Sequence, residues 1–145
     1  MSGEKKTAPS QGYGNTEVFL TRQQREDLIH SLMGKVVDIE IDRPIGHVHV
    51  TKGVILHYTV NYGYIPGITG GDGEEQDVYI LGVSVPLDRF HGRIIGAVRR
   101  ADDNEDKLIA APEGMTLSRE EMAEAVEFVE KYFQSRITTL WEEDA

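Results

Sequence analysis

Apolar periodicity in the middle of the chain constrains the fold more than any other feature. In residues 35–42, Val37, Ile39 and Ile41 alternate with mostly polar neighbours, which is typical of a half-buried strand. Further strands are predicted at 47–50, 54–60, 78–85, 92–99 and 108–111. Residues 62–67, to which no strand is assigned, lead into a predicted glycine-rich loop at Gly70 and Gly71. Because no helix separates these strands, the pattern favours a mainly β protein (α+β), a small antiparallel barrel with flanking helices.

Two helices flank the predicted strands. Thr21 can cap a helix that runs to about Met33, and Ser118 with Glu121 forms a capping box for a long C-terminal helix. The apolar stripe of the second helix has a 3.6-residue period and consists of Met122, Ala125, Val126, Val129, Phe133 and Ile137. Residues 1–15 offer little to bury, so a flexible tail is predicted before a single domain at 16–145.

The composition limits the classes of function. At 145 residues the chain is long enough for one domain with its own core. Its formal charge of −10 disfavours nucleic acid and anionic membranes as partners, because phosphate groups attract clustered Lys and Arg. The chain has no cysteine, which excludes a thiolate zinc site. No apolar run reaches membrane-spanning length and no secretory signal follows Met1, so a cytoplasmic location is expected.

Two acidic clusters carry the functional signal. Asp72, Glu74 and Asp77 follow a glycine-rich turn, and a second cluster at 102–106 is followed by Lys107. Carboxylates at this density repel one another, and hard oxygen ligands select Mg²⁺, Mn²⁺ or Ca²⁺. With the neighbouring tyrosines and basic residues, the clusters predict a metal-dependent site for a small phosphorylated anion. Taken alone, each cluster also fits a solvated turn.

Three segments carry a family resemblance. They are 58–67 (YTVNYGYIPG), 72–77 (DGEEQD) and 102–112 (DDNEDKLIAAP). In order, spacing and flanks they resemble soluble family I inorganic pyrophosphatases, in particular the short bacterial members. The resemblance implies a closed five-stranded OB-like barrel with flanking helices and metal-dependent hydrolysis of pyrophosphate to two phosphates. The implied metal is Mg²⁺, with Mn²⁺ as an alternative, and a homo-oligomer is compatible with the resemblance.

The resemblance also implies a set of metal ligands. Asp72, Asp77 and Asp102 fall on metal-binding carboxylates of the family. The remaining ligand of the second cluster would be Glu105 or Asp106, and the shortened loop leaves that choice open.

Catalytic and substrate-binding residues follow in the same way. Glu74 falls where the family usually has an aspartate that helps to deprotonate the attacking water. Tyr62 and Lys107 fall on phosphate-contacting positions, and Tyr132 is similar to another phosphate-contacting tyrosine. Arg43 is a further candidate for substrate binding, through charge-assisted hydrogen bonds.

Three departures from the family pattern affect these expectations. Glu74 is one methylene longer than the usual aspartate, and Phe133 stands where a phosphate-binding lysine is usual. The region before Tyr58 is shortened, so the usual Lys, Glu and Arg there have only three candidate replacements, Glu40, Arg43 and Lys52. Two alternatives therefore stay open, a phosphohydrolase acting on another phosphoanhydride and a poorly active paralogue that binds metal and phosphate.

Two pairs of basic residues admit either a functional or a structural role. His47 and His49 share one face of a predicted strand, where they are candidates for metal ligation, substrate contact or simple packing. Arg99 and Arg100 alternate along another strand, so one of them is expected to face the site and the other solvent.

Overall fold

The computed structural model describes residues 19–142, in which two helices and eight strands are formed. The helices are α1 (Arg22–Leu32) and α2 (Arg119–Glu130). The strands are β1 (Val36–Arg43), β2 (Val48–Thr51), β3 (Val54–His57), β4 (Asn61–Thr69), β5 (Glu75–Ile80), β6 (Arg89–Arg100), β7 (Lys107–Ala111) and β8 (Ser135–Thr139). The tail predicted at 1–15 lies outside the described residues. Among the helices formed within 19–142, none has the length and apolar character needed to cross a membrane.

Five of the strands close into a barrel. Their order is β1, β4, β5, β7, β6, and pairing between β1 and β6 completes the ring. Neighbouring strands are antiparallel except β5 and β7, which are parallel. The 12-residue β6 also pairs with β8, while β2 and β3 form a separate hairpin. The predicted mainly β fold with a closed five-stranded barrel and flanking helices is confirmed.

Side-chain alternation along the barrel strands divides the core into two clusters. Val78 and Ile80 belong to a cluster that draws on all five barrel strands and is closed by Ile29 of α1. Tyr79 and Leu81 belong to the other cluster, which packs against α2. We refer to these as the inner and the outer face of the barrel, and they follow from the two-residue period of a strand.

Both helices begin at their predicted caps. The Thr21 side chain accepts a hydrogen bond from the Gln24 backbone N–H at 3.1 Å, and Gln24 Oε1 accepts one from the Thr21 backbone N–H at 2.8 Å. Ser118 and Glu121 make the same reciprocal pair at 3.0 and 2.8 Å. Two orphan N–H groups are satisfied at each helix start, so the capping boxes define where the helices begin.

The C-terminal helix is shorter than its apolar stripe indicates. The prediction extends to Ile137, but α2 ends at Glu130 and Ile137 lies in β8, where it pairs with Val98. Phe133, in the turn between α2 and β8, and Ile137 both still pack against the outer-face cluster. The stripe therefore continues through a turn and a strand, because the same apolar surface is covered by both elements.

Strand β4 occupies residues 61–69, to which no strand was assigned from the sequence, and the predicted glycine-rich loop at Gly70 and Gly71 follows it. Gly63 lies in β4 opposite Ile41 of β1 and Val78 of β5. A Cβ atom at Gly63 would lie 1.8 Å from the carbonyl oxygen of Glu40, so glycine is required for the two backbones to approach this closely. The glycine that indicates a loop by propensity is the residue that permits this strand pair.

We expect Gly63→Ala to destabilise the barrel strongly, because the new Cβ would clash with backbone rather than with a movable side chain. The free energy of unfolding, measured by urea denaturation, should fall by at least about 3 kcal/mol, the upper end of typical overpacking penalties. Gly114→Ala is the control, since its Cβ would meet open space and the residue has a φ of +87°. That change should cost roughly 1–2 kcal/mol of left-handed backbone strain. Equal losses in both variants would contradict the clash.

Candidate active site

Lys107, the first residue of β7, lies between two carboxylates of the acidic clusters. Its Nζ donates hydrogen bonds to Asp77 Oδ2 at 2.8 Å and to Glu105 Oε1 at 3.0 Å. Burial would lower the pKa of Lys107, but the charges of Asp77 and Glu105 outweigh it and raise the pKa to about 12. The buried ammonium group therefore stays charged and acts as the counter-ion of both carboxylates.

Glu105 and Asp72 add negative charge around the same point. Burial, together with the charges of Asp72 and Asp77, raises the pKa of Glu105 to about 7, even though Lys107 opposes the shift. Asp72 Oδ1 accepts a hydrogen bond from the Glu74 backbone N–H at 3.0 Å in the turn that leads into β5. Glu74 is half-buried in this turn. The two acidic clusters, distant in sequence, thus share one electrostatic environment.

Asp42 belongs to this environment, although the sequence analysis did not single it out. Asp42 is exposed at the surface, but partial desolvation by its neighbours and the negative charge of Asp77 raise its pKa. Asp42 lies at a register shift of β1, between Ile41 and Arg43, where a bulge changes the face that the next residues present. The available signal was its position beside Arg43 at the end of a strand, directly before a proline turn.

Tyr62 and Arg43 form a wall next to Lys107. The Tyr62 ring is buried, and Lys107 Nζ and the Arg43 guanidinium carbon each lie 5.5 Å from its centre. Burial and then the charge of Asp77 raise the pKa of Tyr62 well above its ordinary value, so the hydroxyl stays protonated. Arg43 Nη1 donates to the Tyr58 hydroxyl at 2.7 Å. Two cations and a phenol therefore border the acidic group, as a phosphate site requires.

His47 and His49 border the same wall. Their rings stack with centres 6.4 Å apart, and His47 meets Tyr58 edge-on at 5.8 Å. Tyr58 contacts both the His47 ring and the Arg43 guanidinium group, so it connects the two. The observed contacts of this pair are with aromatic rings.

Asp106 and Asp102 contact other partners. Asp106 is buried and accepts from Arg25 of α1, with Nε to Oδ2 at 3.0 Å and Nη2 to Oδ1 at 2.9 Å. Asp102 is exposed and accepts from the Gln134 backbone N–H at 3.0 Å. Of the second acidic cluster, Glu105 is the carboxylate that the structure brings to Lys107.

Arg100, at the end of β6, lies behind Glu105. Its Nε and Nη2 donate to the two carboxylate oxygens of Glu130 at 3.0 and 2.6 Å. Its Nη1 donates to Asp103 Oδ2 at 2.9 Å and lies 3.9 Å from Glu105 Oε2. Arg100 is thus the buried member of its pair, while Arg99 forms an ion pair with Glu26 of α1.

The turn after α2 contributes packing next to the site. The Arg100 guanidinium carbon lies 3.7 Å from the centre of the Phe133 ring. Tyr132 is 51% exposed, and Lys131 Nζ is 5.4 Å from its ring centre. Tyr132 is not among the groups packed around Lys107, because it lies in a turn rather than on the predicted helix.

The donor chemistry of the acidic group fits a divalent cation that prefers oxygen. Asp72, Asp77 and Glu105 supply carboxylates, the hard ligands of Mg²⁺ and Mn²⁺. Burial, and then the neighbouring charges of Asp72 and Asp77, raise the pKa of Glu105, although Lys107 opposes the shift. Within residues 19–142, no three His, Asp or Glu side chains enclose a metal-sized space, since Asp77 and Glu105 close on the Lys107 ammonium group.

Comparisons with known proteins show the family to which this chain belongs. The family model described as inorganic pyrophosphatase matches residues 29–143, and the chain belongs to this family. An inorganic pyrophosphatase from Ralstonia nicotianae is 33% identical over 85 residues, which cover 52% of this chain and 47% of that protein. One from Xanthomonas campestris is 27% identical over 115 residues, covering 73% and 63%. The chain therefore spans about half to three fifths of the length of these curated relatives.

Solved structures show a similar fold. The crystal structure of an inorganic pyrophosphatase from Ehrlichia chaffeensis aligns over 74% of this chain and 88% of its own, with a TM-score of 0.57 and 16% identity. An inorganic pyrophosphatase from Neisseria gonorrhoeae aligns over 74% and 84%, with a TM-score of 0.54 and 18% identity. At this level of identity the likeness concerns the fold, which agrees with the predicted OB-like barrel.

Arg25→Met should destabilise the protein, because it leaves the Asp106 carboxylate buried without its charge partner. The free energy of unfolding should fall by about 3–5 kcal/mol, the range for breaking a buried ion pair. Arg22→Met, on the exposed first turn of the same helix, is the control and should change stability by less than about 0.5 kcal/mol. Chemical denaturation measures both values. If Arg25→Met is as stable as the control, Asp106 does not depend on Arg25 and remains a candidate metal ligand.

Proposed function

We propose that this protein hydrolyses inorganic pyrophosphate to two phosphates with Mg²⁺ as its metal, Mn²⁺ being the alternative. Family membership supports the reaction class. The observation that carries the proposal is the group formed by the partly buried Asp77 and Glu105 with the buried Lys107, beside Tyr62. It combines carboxylates for a metal with a cation and a phenol for phosphate, the two requirements of a pyrophosphate site.

Asp72, Asp77 and Glu105 are the proposed metal ligands in this reading. A bound divalent ion would supply charge neutralisation and a lowered pKa of bound water. Glu105 is preferred to Asp106, because Asp106 is paired with Arg25. Asp102 stays a prediction from the family resemblance, since its carboxylate accepts from the Gln134 backbone.

Lys107, Arg43 and Tyr62 are the proposed substrate contacts. Each carries a donor at the edge of the acidic group, and donors of this kind bind phosphate oxygens through charge-assisted hydrogen bonds. Lys107 already lies between two carboxylates, so phosphate would replace them as its partner. Tyr132 remains a predicted contact, and its exposure leaves it free to approach a ligand from solvent.

Glu74 is the proposed proton acceptor for the attacking water. It lies in the turn between Asp72 and β5, the strand that carries Asp77, so its carboxylate starts from the same loop as Asp72. The position supports the role inferred from the family, while the extra methylene changes how far the carboxylate reaches.

A different phosphoanhydride substrate, or poor activity with retained metal and phosphate binding, is the alternative. The specific observation in its favour is Phe133, whose ring packs under Arg100 where a phosphate-binding lysine is usual. The phosphate-binding lysine that is usual in the family is thereby replaced by a residue that makes a packing contact.

Partners and location stay predictions of the same proposal. The net charge of −10 supports a small anion rather than nucleic acid or an anionic membrane as ligand, provided that metal ions neutralise the site. A cytoplasmic location and a homo-oligomer are expected from the family resemblance.

Phosphate release with and without Mg²⁺, compared across pyrophosphate, tripolyphosphate and nucleoside triphosphates, tests the proposal. We expect Mg²⁺-dependent release that is fastest with pyrophosphate. Faster release from another substrate would support the first alternative. Binding of phosphate without release from any substrate would support the second.

Asp77→Asn should remove Mg²⁺-dependent turnover while leaving the fold intact. Lys107 keeps Glu105 as a partner, so the melting temperature without metal should change little. The rate should fall by more than the roughly 10–100-fold that changes to outer-shell partners of a metal site cost. Asp88→Asn, at an exposed carboxylate, is the control and should keep the parent rate. A near-normal rate for Asp77→Asn would show that Asp77 is not a metal ligand.

Glu74→Gln should lower the rate by at least about 10²-fold, the low end for a general base, with a smaller loss of metal affinity. The substitution keeps the side chain's size and removes its ability to accept a proton. Glu74→Asp restores the usual family residue, so it should be tolerated or be faster than the parent. Initial rates and Mg²⁺ titrations measure both effects. A fully active Glu74→Gln variant would place the base elsewhere.

A further inference from the structure

A second charged cavity lies between the first turn of α1, the end of β6 and the start of β8. Its volume is about 210 Å³, and Asp77, Lys107 and Tyr62 are not among its lining residues. The lining contains two carboxylates, those of Glu26 and Asp106, and five arginines, Arg22, Arg25, Arg99, Arg100 and Arg136. The chain as a whole has a net charge of −10, whereas arginines outnumber carboxylates in the lining of this cavity.

Three of these arginines have charge partners. Arg25 pairs with Asp106, and Arg99 pairs with Glu26. Arg100 pairs with Glu130 and Asp103, which lie outside the cavity lining. These ion pairs fix the positions of the three arginine side chains. They also neutralise both carboxylates that line the cavity.

The remaining two arginines have no charge partner within the described residues. Arg22 and Arg136 are exposed, and neither forms an ion pair with another residue in the described range 19–142. They come from different elements, α1 and β8, and line the same cavity. Two guanidinium groups placed in this way can bind one anion through several charge-assisted hydrogen bonds.

The start of α1 adds positive potential to the same place. The first turn of this 11-residue helix contains no acidic residue, and Arg22 is its first helical residue. A cation at a helix N-terminus opposes the helix dipole and is unfavourable unless an anion compensates it. The dipole and the two arginines therefore favour the same kind of ligand.

We propose that this cavity binds a small anion of the phosphate class, phosphate or pyrophosphate, at a position separate from the candidate active site. The cavity volume favours a small ligand, because about 210 Å³ is below the roughly 300–1,000 Å³ of pockets that bind drug-sized molecules. Arg22 and Arg136 bind the anion, and the ion-paired Arg25, Arg99 and Arg100 form the wall behind it.

Calorimetric titration of the full chain with pyrophosphate in excess chelator tests this proposal. Chelation prevents hydrolysis and leaves the acidic site without metal, where its carboxylates repel the anion. The parent should bind pyrophosphate, and Arg22→Gln combined with Arg136→Gln should weaken binding by about tenfold or more, as expected for losing a charge-assisted hydrogen bond. Lys35→Gln combined with Arg89→Gln removes two exposed cations elsewhere and should leave the affinity unchanged.

Lys107→Met locates the bound anion. Under chelation this variant should bind pyrophosphate with the parent affinity, because Lys107 does not line the cavity. Loss of binding in Lys107→Met, with no change in the Arg22 and Arg136 variant, would place the anion at the candidate active site and overturn the proposal. Equal weakening in the Arg22 and Arg136 variant and in the Lys35 and Arg89 control would reduce the effect to overall surface charge, which also overturns it. Thermal unfolding of each variant checks that the fold is retained.

Discussion

The buried ion pair between Arg100 and Glu130 is the contact on which the site depends. Glu130 is the last residue of α2, and its Oε2 also accepts from the Tyr79 hydroxyl at 2.7 Å. The other side of Arg100 reaches Asp103 in the acidic loop and covers the Phe133 ring. A buried ion pair contributes little net stability against desolvation. Its effect is positional, because one guanidinium group ties a helix end, a loop and a barrel strand together.

Lys107 extends this chain of charges to the site itself. Arg100 lies 3.9 Å from Glu105, Glu105 pairs with Lys107, and Lys107 pairs with Asp77. Without Lys107, Asp77 and Glu105 would face each other as like charges in a partly buried place, which is strongly unfavourable. The protein therefore carries its own counter-ion, and the energetic role of any bound cation would be added to that of Lys107.

Local signals predicted much of the fold, whereas signals that depend on a partner strand did not. The capping boxes at Thr21 and Ser118 act within three residues, so their interpretation needed no tertiary context. No strand was assigned at Gly63, and only the close approach of Glu40 shows why a glycine belongs to a strand here. The C-terminal helix was overextended because Ile137 keeps its apolar contact after the backbone has changed from helix to strand.

The candidate site shows the same limit at single-residue scale. Its acidic composition and Lys107 were visible in the sequence, but Glu105 and Asp106 were indistinguishable as ligands. Side chains along β7 alternate between the two faces of the barrel, and the two residues directly before the strand follow the same alternation. Asp106 continues the inner face with Leu108 and reaches Arg25 of α1, whereas Glu105 continues the outer face with Lys107. A difference of one position along the chain thus sends one carboxylate toward Lys107 and its neighbour toward Arg25 and the arginine-lined cavity.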